Sequence, residues 1–171
     1  MNRDYLSLFF IAVLLILVQW FVFDNVVVAD LYTPYVYMLL LFYYPYQMRL
    51  SWQMMISFVA GLCIDVVNDT GGAHALAMLF ASYLRPLLLR VIYGESYALK
   101  TVRLIKTSAK SLLVFTLLLV FVHHLILHAM LLFDGSLWSL ILTRGFYNLL
   151  LTTFVIYSLI LLFYKRSREI Y

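Results

Sequence analysis

What most constrains this chain is how charge is shared out between its long apolar stretches. Tyr5–Phe23, Ser111–Phe133 and Gly145–Tyr164 contain no Asp, Glu, Lys or Arg at all. A helix needs roughly 20 apolar residues, rising 1.5 Å each, to cross about 30 Å of hydrocarbon. Six candidate spans follow: about 5–23, 34–46, 51–67, 73–93, 111–133 and 137–164. The second is short and bounded by Pro34 and Pro45, which allows a tilted or partly re-entrant course. Arg3, Arg49, Arg90, Lys100, Arg103, Lys106, Lys110, Lys165, Arg166 and Arg168 fall at ends that face one side. The alternate gaps carry Asp24, Asp30, Asp69 and Asp134, with no Lys or Arg. The positive-inside rule then places both termini in the cytoplasm. With five crossings, Lys165–Arg168 would fall on the wrong side.

Composition agrees. Of 171 residues, 65% are hydrophobic and 12% charged. Soluble domains run near 45–50% apolar and about 25% charged. The excess cannot be buried inside a globule of this size, which argues against a soluble enzyme, a nucleic-acid-binding domain and a disordered regulator. Cys63 is the single cysteine, so no intrachain disulfide is expected. Val27-Val28-Ala29 looks like a small-residue cleavage site. Leu6–Phe23 is long for a signal-peptide core, however, and further spans follow, so a retained helix is expected. The short gaps point to one compact all-α bundle without a soluble domain.

The unusual residues sit in the middle. Ser57, Gly61 and Asp65 recur at i, i+4 on the third span, and Ala73, Ala77, Ala81 and Arg85 do so on the fourth. Small-residue stripes let membrane helices approach closely. Gly71-Gly72 suits a tight turn with positive φ, giving an antiparallel pair. Pro86 removes a backbone donor and leaves the Ser82 carbonyl without its helical partner. Arg85 has two readings, snorkelling to lipid phosphate or holding a polar contact inside the bundle.

Arg144 stands about two turns into the last span, where an ion costs at least about 2.5–3.5 kcal/mol and should be paired. Asp65 lies at a similar depth, so an Arg144–Asp65 pair is expected, with Asn148 and Thr152 continuing the polar stripe. His123, His124 and His128 lie mid-span on the fifth helix. His124 and His128 share a face, but no nearby Cys or carboxylate completes a ligand set, so no metal is expected. Glycine-serine elbow, zinc-helix and phosphate-loop motifs are missing, so no catalytic residue and no cofactor are assigned. Lys100, Arg103, Lys106 and Lys110 recur every three or four residues beside Leu99, Val102 and Ile105. That pattern predicts an interfacial helix on anionic lipid or a cytoplasmic partner.

The run Gly61-Leu62-x-x-Asp65, Gly71-Gly72-x-His74, Arg85-Pro86, within six short spans, resembles the rod shape-determining MreD family. The resemblance covers the full length in topology, and Gly61–Pro86 in motif. It implies a non-enzymatic inner-membrane component of the cell-wall elongation machinery. The implied bundle is similar to the substrate-binding subunits of energy-coupling-factor transporters. The implied partners are MreC, a single-span protein with a large periplasmic domain, the wall glycosyltransferase and transpeptidase, and the actin-like filament, directly or through others. Gly61, Asp65, Gly71, Gly72, His74, Arg85 and Pro86 would be shape-setting or partner-contacting residues. A transport subunit is the rival reading, with Asp65, Asp69, His74, His128, Arg144 and Asn148 around one cavity. A small lipid-modifying enzyme is the third.

Overall fold

The computed structural model describes residues 3–26, 32–45, 48–94, 108–131 and 138–168. The helices are α1 (Arg3–Phe21), α2 (Leu40–Tyr43), α3 (Leu50–Asn68), α4 (Ala73–Tyr93), α5 (Ala109–Leu131) and α6 (Trp138–Arg168). Short 3-10 turns follow α1 at Phe23–Asn25 and precede α2 at Val36–Leu39. Five stretches are long and apolar enough to cross a membrane: Tyr5–Asn25, Leu50–Asn68, Ala73–Tyr93, Ala109–Leu131 and Leu142–Leu162.

The long helices pack in chain order, α3 on α4, α4 on α5 and α5 on α6, while α1 lies against α3 and the α2 segment. Side-chain contacts fix their directions. Tyr93 meets Phe115 at one end of the α4–α5 pair, and His74 meets His123 toward the other, so the two run antiparallel. The Tyr157 hydroxyl donates to the Ala109 carbonyl, which sets α6 antiparallel to α5. The Asn68 amide donates to Asp24, so α1 and α3 finish at the same end. Asp24 and Asp69 thus stand at one end of the bundle, and Arg49, Arg90 and Lys110 at the other.

The expected second span, short and bounded by two prolines, is not a long helix. Over the described residues 34–45 the helix consists of the 3-10 turn Val36–Leu39 followed by the single α-turn Leu40–Tyr43. At about 2 Å per residue in the first and 1.5 Å in the second, it covers roughly 14 Å, half a hydrocarbon core. Pro34 cannot donate, and the residue before Pro45, Tyr44, is extended with ψ 125°, so helix is cut off on both sides. The segment instead runs through the interior, from the acidic end toward the basic end. Val36 to Phe42 are all buried and form the centre of the core with Ile64, Met78, Phe115, Leu119 and Ile156.

The signal-like Val27–Ala29, the loop acids Asp30 and Asp134, and Lys100, Arg103 and Lys106 of the expected interfacial helix lie outside the described residues. Lys110 is exposed in the first turn of α5.

Candidate functional site

The α3–α4 hairpin is built as its residue types require. Asp69 closes α3 in the left-handed region at φ 53°, and Gly71 and Gly72 follow at φ 60° and 94°. Aspartate and glycine tolerate this backbone best. The turn brings the N-terminus of α4 beside the last turns of α3. There the Asp65 carboxylate accepts from the His74 amide at 2.9 Å, the Ala75 amide at 2.8 Å and the Thr70 hydroxyl. A carboxylate on the first amides of a helix satisfies orphan donors and complements the helix dipole. One turn earlier, Gly61 lets the helices touch. A β-carbon there would lie 2.5 Å from the His74 carbonyl oxygen and 2.6 Å from Ala75 Cα. Ser57, Gly61 and Asp65 share the buried face of α3, and Ala73, Ala77, Ala81 and Arg85 that of α4.

The second part of the site is the irregular segment Thr33–Tyr44. Backbone without helix or sheet pairing is tolerated at membrane depth only where the protein satisfies it. From α1, α4 and α6 come the side chains that satisfy its backbone, and from α3 and α5 those that hold its tyrosine hydroxyls. From α1, Gln19 Oε1 accepts from the Val36 amide at 2.6 Å and the Tyr37 amide at 3.3 Å, and its amide donates to the Pro34 carbonyl at 3.2 Å. From α6, Asn148 accepts from the Thr33 amide at 3.2 Å and Thr152 from the Tyr35 amide at 3.1 Å. On α3, Ser57 pairs with the Tyr44 hydroxyl at 2.6 Å. From α4, Arg85 donates to the Leu41 carbonyl at 2.6 Å, the Gln53 side chain at 3.1 Å and the Tyr44 carbonyl at 3.5 Å.

From α5 come the histidines. The Tyr37 hydroxyl lies 2.8 Å from His74 Nδ1 and 2.7 Å from His123 Nε2. One hydroxyl carries one proton, so it donates to one ring and accepts N–H from the other. That clasp joins the segment to α4 and α5. His124 Nδ1 donates to the Val120 carbonyl at 2.9 Å, and its Nε2 faces the Thr152 hydroxyl at 3.5 Å. Tyr35 packs edge-on against His74, with ring centroids 5.0 Å apart. His128 leans on the notch left by Gly145 of α6, where a β-carbon would lie 2.8 Å from its Cδ2.

The structure thus joins Gly61, Asp65, Gly71, Gly72 and His74 in one hairpin and sets Arg85 about three turns further along α4. Arg85 is 5% exposed, so the interior contact and not lipid snorkelling describes it. Pro86 follows within an unbroken α4. The expected Arg144–Asp65 pair is corrected: both carboxylate oxygens are engaged within the hairpin, and Arg144 is exposed on α6. Matching depths did not suffice, because α3 and α6 stand at opposite ends of the helix row. Asn148 and Thr152 are buried, but they serve the segment and not Arg144. Gln19, Tyr37 and Ser57 carry the site without having been assigned to it. The signal for Gln19 was its position as an amide inside an uncharged span. Among the described residues, no group of three or more His, Cys, Asp or Glu side chains is placed to hold a metal ion.

Five long apolar helices around a short buried segment held by their side chains define a multi-pass helical membrane protein. Comparison with family models, curated proteins and solved structures returns no match to this chain.

Proposed function

We propose that this protein is a non-enzymatic scaffold of the bacterial inner membrane, acting in cell-wall elongation and rod shape in the manner of MreD. In this reading both termini are cytoplasmic, and Thr33–Tyr44 makes the second of six crossings. The bundle is organised like the substrate-binding subunits of energy-coupling-factor transporters but without their substrate. Its partners are an MreC-like single-span protein, the wall glycosyltransferase and transpeptidase and, directly or through these, the actin-like filament. Lys100, Arg103, Lys106 and Lys110 face anionic lipid or a cytoplasmic partner.

One observation carries the reading. The polar groups of the motif are engaged in fixing shape: Asp65 holds the start of α4, the His74 ring holds Tyr37, and Arg85 holds the Leu41 and Tyr44 carbonyls. Around them the membrane-facing surface is apolar, with Phe9, Phe10, Val66, Val91 and Phe154 each more than half exposed. A bundle of this kind works through lateral helix contacts. The charge separation between its ends supports the orientation.

The test is purification of the tagged chain from native membranes in mild detergent, with mass spectrometry of what accompanies it. A single-span protein with a large periplasmic domain, together with wall synthases, is expected, and depletion should round rod-shaped cells. Recovery of an ATPase pair with a coupling subunit would overturn the reading in favour of a transport subunit.

A further inference from the structure

The Tyr37 clasp tolerates little added charge. Tyr37, His74 and His123 are 1%, 2% and 0% exposed. His74 Nδ1 and His123 Nε2 face the one hydroxyl at 2.8 and 2.7 Å. For both bonds to exist, one facing nitrogen carries a proton and the other is bare. A neutral ring holds a single proton, so the two rings must share one tautomer, both Nδ1–H or both Nε2–H. His123 Nδ1 has no partner among the described residues. Orphaned buried N–H groups are rare, which favours Nε2–H for both rings. A proton added to either ring then orphans a donor. On His123 it creates a buried Nδ1–H without an acceptor. On His74 it leaves the Tyr37 O–H facing two N–H groups, unless His123 shifts its own proton to the unpartnered Nδ1. With both rings charged, neither ring can receive the Tyr37 proton, whatever else surrounds them. Two cations would also stand with ring centroids 6.2 Å apart.

The groups around the clasp are not built this way. His124 of α5 donates Nδ1–H to the Val120 carbonyl at 2.9 Å, and its Nε2 faces the Thr152 hydroxyl of α6, which can donate or accept. His128 of α5 leans on Gly145 of α6, and Tyr35 packs edge-on against His74. Asp65 of α3 spends its oxygens on the Thr70 hydroxyl and the His74 and Ala75 amides. Asp24, just past α1, accepts from the Gln19 and Asn68 amides. His74 is the second residue of α4, beside the turn with exposed Gly71, so a proton can reach it from the acidic end.

We propose that the Tyr37–His74–His123 clasp is a proton-operated latch. Neutral, it holds Thr33–Tyr44 to α4 and α5, and one proton on each ring releases the segment. The protons enter from the end that carries Asp24 and Asp69. A histidine in water takes up a proton below about pH 6.5, so release follows acidification on that side. Two protons taken up on release make the response steep, at most about 100-fold per pH unit. Only the identity of that side, the periplasm, rests on the orientation in the scaffold reading. The latch itself stands or falls without it.

The experiment uses the full chain in lipid nanodiscs and has two readouts. Nitrogen NMR of isotope-labelled histidine, at a pH about one unit above the ordinary histidine value, reads the tautomers. His74 and His123 should both be Nε2–H, with His124 as Nδ1–H. Opposite tautomers for His74 and His123 would overturn the clasp as counted. Hydrogen exchange read by mass spectrometry, with the intrinsic pH effect divided out, then follows residues 36–42 against residues 112–120 of α5. Protection of 36–42 should fall roughly tenfold or more on going to about one unit below that value, while the α5 reference holds. Glutamine keeps a donor and an acceptor at these positions but does not titrate, so His74→Gln with His123→Gln should flatten the fall. His128→Gln, beside the clasp but outside it, should leave the fall intact. No fall, an equal fall in the α5 reference, a fall that survives the double variant, or one abolished by His128→Gln would each overturn the latch. The tautomers are read on the unaltered chain, so a double variant that does not fold leaves the proposal open to refutation.

Discussion

Replacing Gly61 by alanine tests the hairpin at its tightest point. The new β-carbon would stand 2.5 Å from the His74 carbonyl oxygen, 2.6 Å from Ala75 Cα and 2.7 Å from Ala75 N. All three are backbone atoms of α4, so no rotamer change relieves the overlap, and α3 and α4 must separate by about 0.8–1 Å to reach ordinary contact distance. The same movement stretches the Asp65 bonds to the His74 and Ala75 amides, now 2.9 and 2.8 Å, to roughly 3.7 Å, beyond hydrogen-bonding range. Overpacking costs about 1–3 kcal/mol. Weakening a pair of charge-assisted bonds adds about 2 kcal/mol. The sum is about 3–5 kcal/mol, which corresponds to a fall in Tm of roughly 6–20 °C for a chain of this size. Thermal unfolding in a fixed detergent, followed by intrinsic tryptophan fluorescence, measures it. Gly71→Ala is the comparison: it has open space but φ 60°, so it should lose only about 1 kcal/mol from backbone strain. A Gly61→Ala protein within a degree of the parent, or less perturbed than Gly71→Ala, would refute the close-approach argument.

Three further substitutions probe the buried segment. Tyr37→Phe removes the hydroxyl between His74 and His123, should cost about 2–3 kcal/mol by leaving two buried ring nitrogens unpaired, and is read by the same melt against Tyr157→Phe, whose bond is exposed. Arg85→Met keeps the volume but strands the Leu41 carbonyl, and should cost about 3 kcal/mol and speed proteolysis within 34–49. Gln19→Leu is hydrophobically neutral for α1 but unpairs the Val36 amide and the Pro34 carbonyl, and should raise amide hydrogen exchange at Val36 and Tyr37 by roughly tenfold or more.

The sequence by itself determined the membrane class, the five long helices and the α3–α4 hairpin. Hydropathy accumulates residue by residue along the chain, and a turn such as Asn68-Asp69-Thr70-Gly71-Gly72 is set by the φ values its residues tolerate. The i, i+4 stripes of Ser57, Gly61, Asp65 and of Ala73, Ala77, Ala81, Arg85 were readable for the same reason, since helical spacing alone puts them on one face. Tertiary structure decided the rest. The stretch 34–45 has the composition of a span, yet it forms a 3-10 turn and one α-turn between irregular ends, because Gln19, Asn148, Thr152 and Arg85 from three different helices supply hydrogen bonds to its backbone. No local pattern encodes partners that lie 17 to 117 residues away. Depth along a helix could be counted for Asp65 and Arg144, but not which neighbour each would face. A helix start three angstroms away outcompeted a distant guanidinium for the Asp65 carboxylate, and only the packing order of the helices put that helix start there.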